Sequence, residues 1–160
     1  MDSGPQARVA AALAAADIPA QIVTFDVATR TAAEAAAAIG CDVAQIAKSV
    51  ILRAKESGRH VLVIASGVNR VCEKTAAQYV GERIGRADAD FVRVRTGFVI
   101  GGVAPVAHMH APITLIDEDL LQFSEIWAAA GTPHSVFKLT PAQLLTLTGG
   151  QPGKIKEHSE

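Results

Sequence analysis

Lys48 stands between two apolar runs, Ile46-Ala47 before it and Val50-Ile51-Leu52 after it. An ammonium group at the rim of a core can hold a carbonyl or phosphate oxygen, and partial burial lowers its pKa. A lysine so placed can equally end a helix with its head in solvent. A second stretch offers backbone chemistry: Thr96 to Pro105 reads T-G-F-V-I-G-G-V-A-P, an apolar run that ends in the adjacent glycines Gly101 and Gly102. Neighbouring glycines cost chain entropy, so keeping them there suits positive φ or bare backbone pressed on a ligand. A turn or bulge that bends a strand accounts for them as well. Their spacing is neither that of a dinucleotide-binding loop nor that of a P-loop.

Other reactive residue types are less organised. His108 and His110 would share one face of a strand and begin a metal site, but only His134 offers itself as a third ligand. Without a C-x-x-C or H-E-x-x-H companion, no metal is expected. Cys72 falls in the first turn of an expected helix, where the dipole lowers a thiol pKa, and it reads as well as a structural cysteine. Asp117-Glu118-Asp119 closes an apolar run and reads as a solvated face with an N-cap.

The elements that must hold these residues follow from periodicity and punctuation. A helix is expected from Ser3 to Ala16, ended by Asp17-Ile18-Pro19, and a short strand at 21–25. Thr31 and Glu34 form a capping box for an Ala-rich helix stopped by Gly40, and Asp42 with Gln45 repeats the pattern over one or two turns. Ser49–Ala54 and His60–Ala65 read as an antiparallel hairpin whose second strand is apolar without alternation, hence covered on both faces. Asn69 is the expected cap of a helix over Val71–Val80, and Asp88 starts another that runs to Gly97. Ile113–Ile116 is a buried strand. Glu125–Ala130 and His134–Leu139 flank Gly131-Thr132-Pro133 as a second hairpin, with part of Leu120–Ala130 open to a helical reading. Thr140-Pro141 starts a last helix that ends at Gly149-Gly150, and the polar tail from 151 is expected to fray.

These elements sum to one α+β domain over residues 1–160, built on a mixed, largely antiparallel sheet. At 160 residues the chain is long enough for one good core. With 49% hydrophobic and 19% charged residues it is globular, and 15 basic against 16 acidic residues exclude a whole-surface polyanion binder. Contact with a nucleic acid must then be local, and Arg83, Arg86, Arg93 and Arg95 could supply a basic face. The two cysteines and the lack of a signal or membrane-spanning pattern lead to an expectation of a cytoplasmic protein with reduced thiols. An apolar sheet edge leaves a dimer open.

The chain resembles the YbaK/ProX family of aminoacyl-tRNA editing domains, related to the editing insertion of bacterial prolyl-tRNA synthetases. The resemblance rests on four segments in order: Thr31-Ala32-Ala33-Glu34-Ala35-Ala36, Gln45-Ile46-Ala47-Lys48-Ser49-Val50, the Thr96–Pro105 stretch, and Ala130-Gly131-Thr132-Pro133-His134. It implies a free-standing deacylase that hydrolyses the ester of a mischarged tRNA, in that family usually tRNA for proline. Lys48 would hold the substrate, and the backbone of Gly101 and Gly102 would position the aminoacyl group and the attacking group. Thr31, Val103, Ala104, Pro105, His108 and His134 would surround the substrate. No cofactor or metal is implied, nor DNA or a membrane; the partners are the tRNA acceptor end and prolyl-tRNA synthetase. A non-catalytic module binding tRNA or a synthetase, and a small-ester hydrolase, are the alternatives. One position departs from the family pattern, because Ala107 precedes His108 where relatives usually carry glycine. A positive φ there would strain an alanine.

Overall fold

The computed structural model describes residues 4–19 and 21–157. Helix α1 (Pro5–Ala15) buries Val9 and Leu13, the pair its apolar spacing singles out; Ser3 lies outside the described residues. Strand β1 (Ile22–Thr24) leads to α2 (Ala32–Ile39). The reciprocal cap forms as expected: Thr31 Oγ1 accepts from Glu34 N at 3.1 Å, and Glu34 Oε1 accepts from Thr31 N at 3.1 Å. Gly40, at φ 87°, ends the helix. The next capping pattern yields only one 3₁₀ turn, Val43–Gln45, because the chain is extended again from Ile46.

Strands β2 (Ala47–Ala54) and β3 (His60–Ser66) form the expected antiparallel hairpin. Every residue of β3 is buried, as its unalternating sequence implies. Leu62 and Ile64 enter the main core with Leu13, Phe98, Ile116 and Phe137, whereas Val61 and Val63 enter a second one with Leu52, Leu115 and Ile155. Helix α3 (Glu73–Val80) is capped by Cys72. Asn69, the expected cap, instead donates its amide to Asp117 Oδ2 and Asp119 Oδ2, each at 2.8 Å. A tertiary acceptor outcompetes the local one.

Strand β4 (Ile84–Arg86) was not legible, since three residues with a central glycine carry no strand signal. Helix α4 (Ala89–Thr96) starts at Asp88, whose Oδ1 accepts from Phe91 N at 2.8 Å, and stops at Gly97 as expected. Then come β5 (Ile113–Asp117), a 3₁₀ turn over Glu118–Gln122, the hairpin β6 (Ile126–Ala129) and β7 (Ser135–Leu139), and α5 (Pro141–Thr148). Only the 3₁₀ turn realises the helical alternative around Leu120. The tail does not fray through its described part: β8 (Gln151–Gly153) pairs in parallel with β5, and Ile155 is buried.

The α+β class and the mixed, largely antiparallel pairing match the sequence reading, with the strands divided between two sheets. One has the order β4-β2-β3-β5-β8, parallel at β3-β5 and β5-β8; the other is the antiparallel β1-β7-β6. Ile46 and Trp127 join them through a single parallel bridge. That junction, at the root of β2, is where several of the expected site residues gather. No helix among the described residues is long and apolar enough to cross a membrane.

Candidate active site

A cavity of about 490 Å³ lies at the junction of the two sheets. Lys48 and Ser49 of β2, the residues just before and at the start of α2 (Thr29–Ala33), Trp127–Ala129 of β6 and the loop residues Ile100, Gly101 and Val103 line it. Four of the expected site residues therefore meet here: Thr31, Lys48, Gly101 and Val103. The Thr31 hydroxyl is engaged in the helix cap, so what it contributes is mainly the placement of α2.

Lys48 is half-buried, and loss of solvent followed by repulsion from Arg70 pushes its pKa down, with Asp117 opposing. No ion pair holds it among the described residues. Among the described residues, the ionisable ones that line the cavity are Lys48 and Arg30, with no carboxylate beside them. Such a site favours an anion or an electron-rich carbonyl oxygen and offers no general-base carboxylate.

The two glycines differ. Gly101 has φ 92° and faces the cavity, and its N–H has no hydrogen-bond partner among the described residues. Gly102 N donates to Val99 O at 2.9 Å, closing a turn, and Gly102 does not line the cavity. A Cβ there would come within 2.7 Å of Thr132 C and 2.9 Å of Pro133 N, so glycine is required by close approach of two backbones. The loop is thus a turn braced on the Gly131–Pro133 segment, and Val99 and Ile100, which read as buried, are half exposed at its tip.

The remaining expected contacts are set apart from the cavity. Ala104 and Pro105 are buried behind its wall. His108 turns inward, its Nδ1 2.9 Å from His60 Nε2 and its Nε2 2.7 Å from Ala104 O. His134 is exposed, with Nδ1 3.3 Å from Phe25 O. His110 is exposed while His108 is tucked in, so the H-x-H pair shares no face. Cys72 accepts from Thr75 Oγ1 at 3.2 Å, a contact that draws its thiol pKa down, but it caps α3 and is not part of the cavity. Asp117 is the N-cap the sequence indicates, though buried: its Oδ2 also accepts from Ser66 N at 3.0 Å. Of the four clustered arginines, Arg83 pairs with Glu56 and Arg93 with Asp90, and none lines the cavity.

Sequence reasoning missed Arg30, Ser49, Gly67 and Trp127. Only Gly67 carried a local signal, as a glycine after a buried strand; a Cβ there would lie 2.8 Å from Ala32 Cβ. Trp127 reaches the site through the bridge to Ile46, a pairing between segments about eighty residues apart.

A half-buried lysine without an ion pair and a glycine turn with a free N–H thus line one cavity of this α+β domain, an arrangement suited to an oxygen-rich group. Residues 26–147 match the aminoacyl-tRNA editing domain family, and the chain belongs to that family. It is 31% identical to the uncharacterised protein YwhH of Bacillus subtilis, over 77% of this chain and 78% of that one. It is 25% identical to EbsC of Enterococcus faecalis, described as a candidate Cys-tRNA(Pro)/Cys-tRNA(Cys) deacylase, over 78% of this chain and 76% of that one. Among solved structures, a candidate trans-editing enzyme for prolyl tRNA synthetase superposes with a TM-score of 0.90 at 42% identity, covering 99% of this chain and all of the other.

Proposed function

We propose that the chain is a free-standing trans-editing deacylase that hydrolyses the ester of a mischarged tRNA for proline. The observation that carries this reading is the pairing of Lys48 with the Gly101 turn across one cavity of an editing-family domain. The candidate functions attached to EbsC and to the 42%-identical structure support the choice of tRNA and of prolyl-tRNA synthetase as a partner.

In the proposed reaction a water oxygen adds to the aminoacyl carbonyl carbon. The bond from that carbon to the ribose oxygen then breaks, and the ribose oxygen takes the proton that water gives up. Free amino acid and uncharged tRNA leave. Lys48 steadies the carbonyl or the terminal nucleotide, and the Gly101 N–H, without a partner among the described residues, is a further donor in the cavity lining. An activated ester needs little acid–base help, so orientation and a few fixed donors supply most of the rate. A lining whose described residues are uncharged apart from Lys48 and Arg30 fits that economy. Hydrolysis in a second site is also the physical remedy when one binding step discriminates a methylene by only about 10–200-fold.

The test is deacylation of tRNA for proline charged separately with proline, alanine, cysteine, serine, threonine and 2-aminobutyrate, by wild type and Lys48→Ala. Rapid loss of a non-proline ester with wild type, slowed on the order of a hundredfold or more in Lys48→Ala, is expected. Decay of every ester at the buffer rate overturns the reading.

A further inference from the structure

Behind the Gly101 turn, away from the cavity, two imidazoles form a chain that ends on the turn's own backbone. His60, the first residue of β3, is 1% exposed, and its Nε2 lies 2.9 Å from His108 Nδ1. The ring centroids are 5.1 Å apart with planes within 16°, the separation an edge-to-edge N–H···N bond between nearly coplanar rings gives. His108 Nε2 lies 2.7 Å from Ala104 O. Phe98 meets the His108 ring in a T-shaped contact, centroids 5.7 Å apart.

The proton positions follow from the partners. A carbonyl oxygen only accepts, so His108 Nε2 carries the hydrogen. In the neutral ring Nδ1 is then the acceptor, and His60 Nε2 must be the donor. The chain runs His60 Nε2–H to His108 Nδ1, and His108 Nε2–H to the Ala104 carbonyl. The fold places His108 for this by holding Ala107 at φ 64°, which turns the chain back so that residue 108 meets the carbonyl four residues earlier.

We infer that His60 is a positioning residue for the cavity wall from Gly101 to Ala104: it fixes one tautomer and one orientation of His108, and His108 holds the wall. A second proton on His108 would set two N–H groups against each other and break the link to β3. The charged and titratable groups facing the pair are Arg8 on α1, Arg59 in the β2–β3 turn, Arg95 on α4 and His110 beyond it, all basic. Burial is the main force against protonation and these groups add to it, so the neutral chain is the form at physiological pH.

Nitrogen-15 NMR of ring-labelled protein near neutral pH tests the chain directly and does not depend on turnover. Both rings are expected neutral with hydrogen on Nε2, with a scalar coupling between His60 Nε2 and His108 Nδ1. A charged ring, or hydrogen on Nδ1 of either ring, overturns the inference. The kinetic consequence rests on the deacylase reading. With the most reactive ester of the panel, His60→Leu is expected to lower kcat on the order of tenfold with little change in KM. His60→Gln, whose amide N–H can replace the lost donor, is expected to restore most of the rate. Equal loss in both variants, or no loss in His60→Leu, overturns the positioning role. If wild type hydrolyses no ester, the deacylase reading fails, and the NMR result still decides the chain.

Discussion

Lys48 and His108 occupy opposite sides of one loop wall, and burial lowers the pKa of both. On the cavity side Lys48 has no ion pair among the described residues and lines the same cavity as Gly101; on the inner side both nitrogens of His108 are bonded within 2.9 Å. Desolvation alone therefore does not separate a functional group from a structural one. What separates them is whether the fold supplies the partner. A polar group left unsatisfied beside a cavity holds its interaction for a ligand, and a fully satisfied one spends it on the fold.

Substitution can break that contrast. Replacing Lys48 by alanine should remove activity while leaving thermal stability within a few degrees of wild type, because it relieves a desolvated charge and breaks no bond. A large fall in melting temperature would make Lys48 structural. His108→Leu should do the reverse, leaving the His60 donor and the Ala104 carbonyl buried and unpaired at a cost of about 2–4 kcal/mol in urea unfolding. A loss below about 0.5 kcal/mol would put His108 with the exposed histidines.

Acid sharpens the same contrast. The His60 pKa falls from 6.5 to about 4 on folding, chiefly by burial and then by the nearby His108 and Arg95. Between those two values the unfolded chain binds the proton that the folded chain refuses, so stability falls as pH is lowered through that window. His60→Gln should flatten the decline, and a pH profile parallel to that of wild type would contradict the assignment. The smallest effect is expected at Ala107. The left-handed conformation costs a non-glycine residue roughly 1–2 kcal/mol, and the extra chain entropy of glycine returns about half of this. Ala107→Gly should stabilise by about 0.5–1 kcal/mol without altering deacylation, and a destabilised variant would show that the alanine methyl packs better than its φ suggests.

Much of the site was legible locally. Thr31 with Glu34 announces the start of α2, and the change from helical to strand pattern around Lys48 puts it at a junction, although β2 already begins at Ala47 and not at Ser49. The strain at Ala107 was visible as an alanine where a glycine is usual, and the observed φ of 64° bears it out. His108 and His134 were less legible, because an imidazole reads alike whether it meets a substrate, a carbonyl or water. His60 gave no signal at all, since its partner is 48 residues away.

The sequence by itself determined the ends of α2, α4 and α5, the β2–β3 hairpin, the burial of β3 and the residues that resemble an editing domain. These depend on caps, glycines and apolar periodicity, interactions that span a few residues. Only the tertiary structure decided that the strands divide into two sheets, that Trp127 lines the cavity beside Ile46, and that of two adjacent glycines Gly101 lines the cavity while Gly102 lies under Thr132. Those outcomes are set by contacts between distant segments, and local propensity has no term for what the rest of the chain brings alongside.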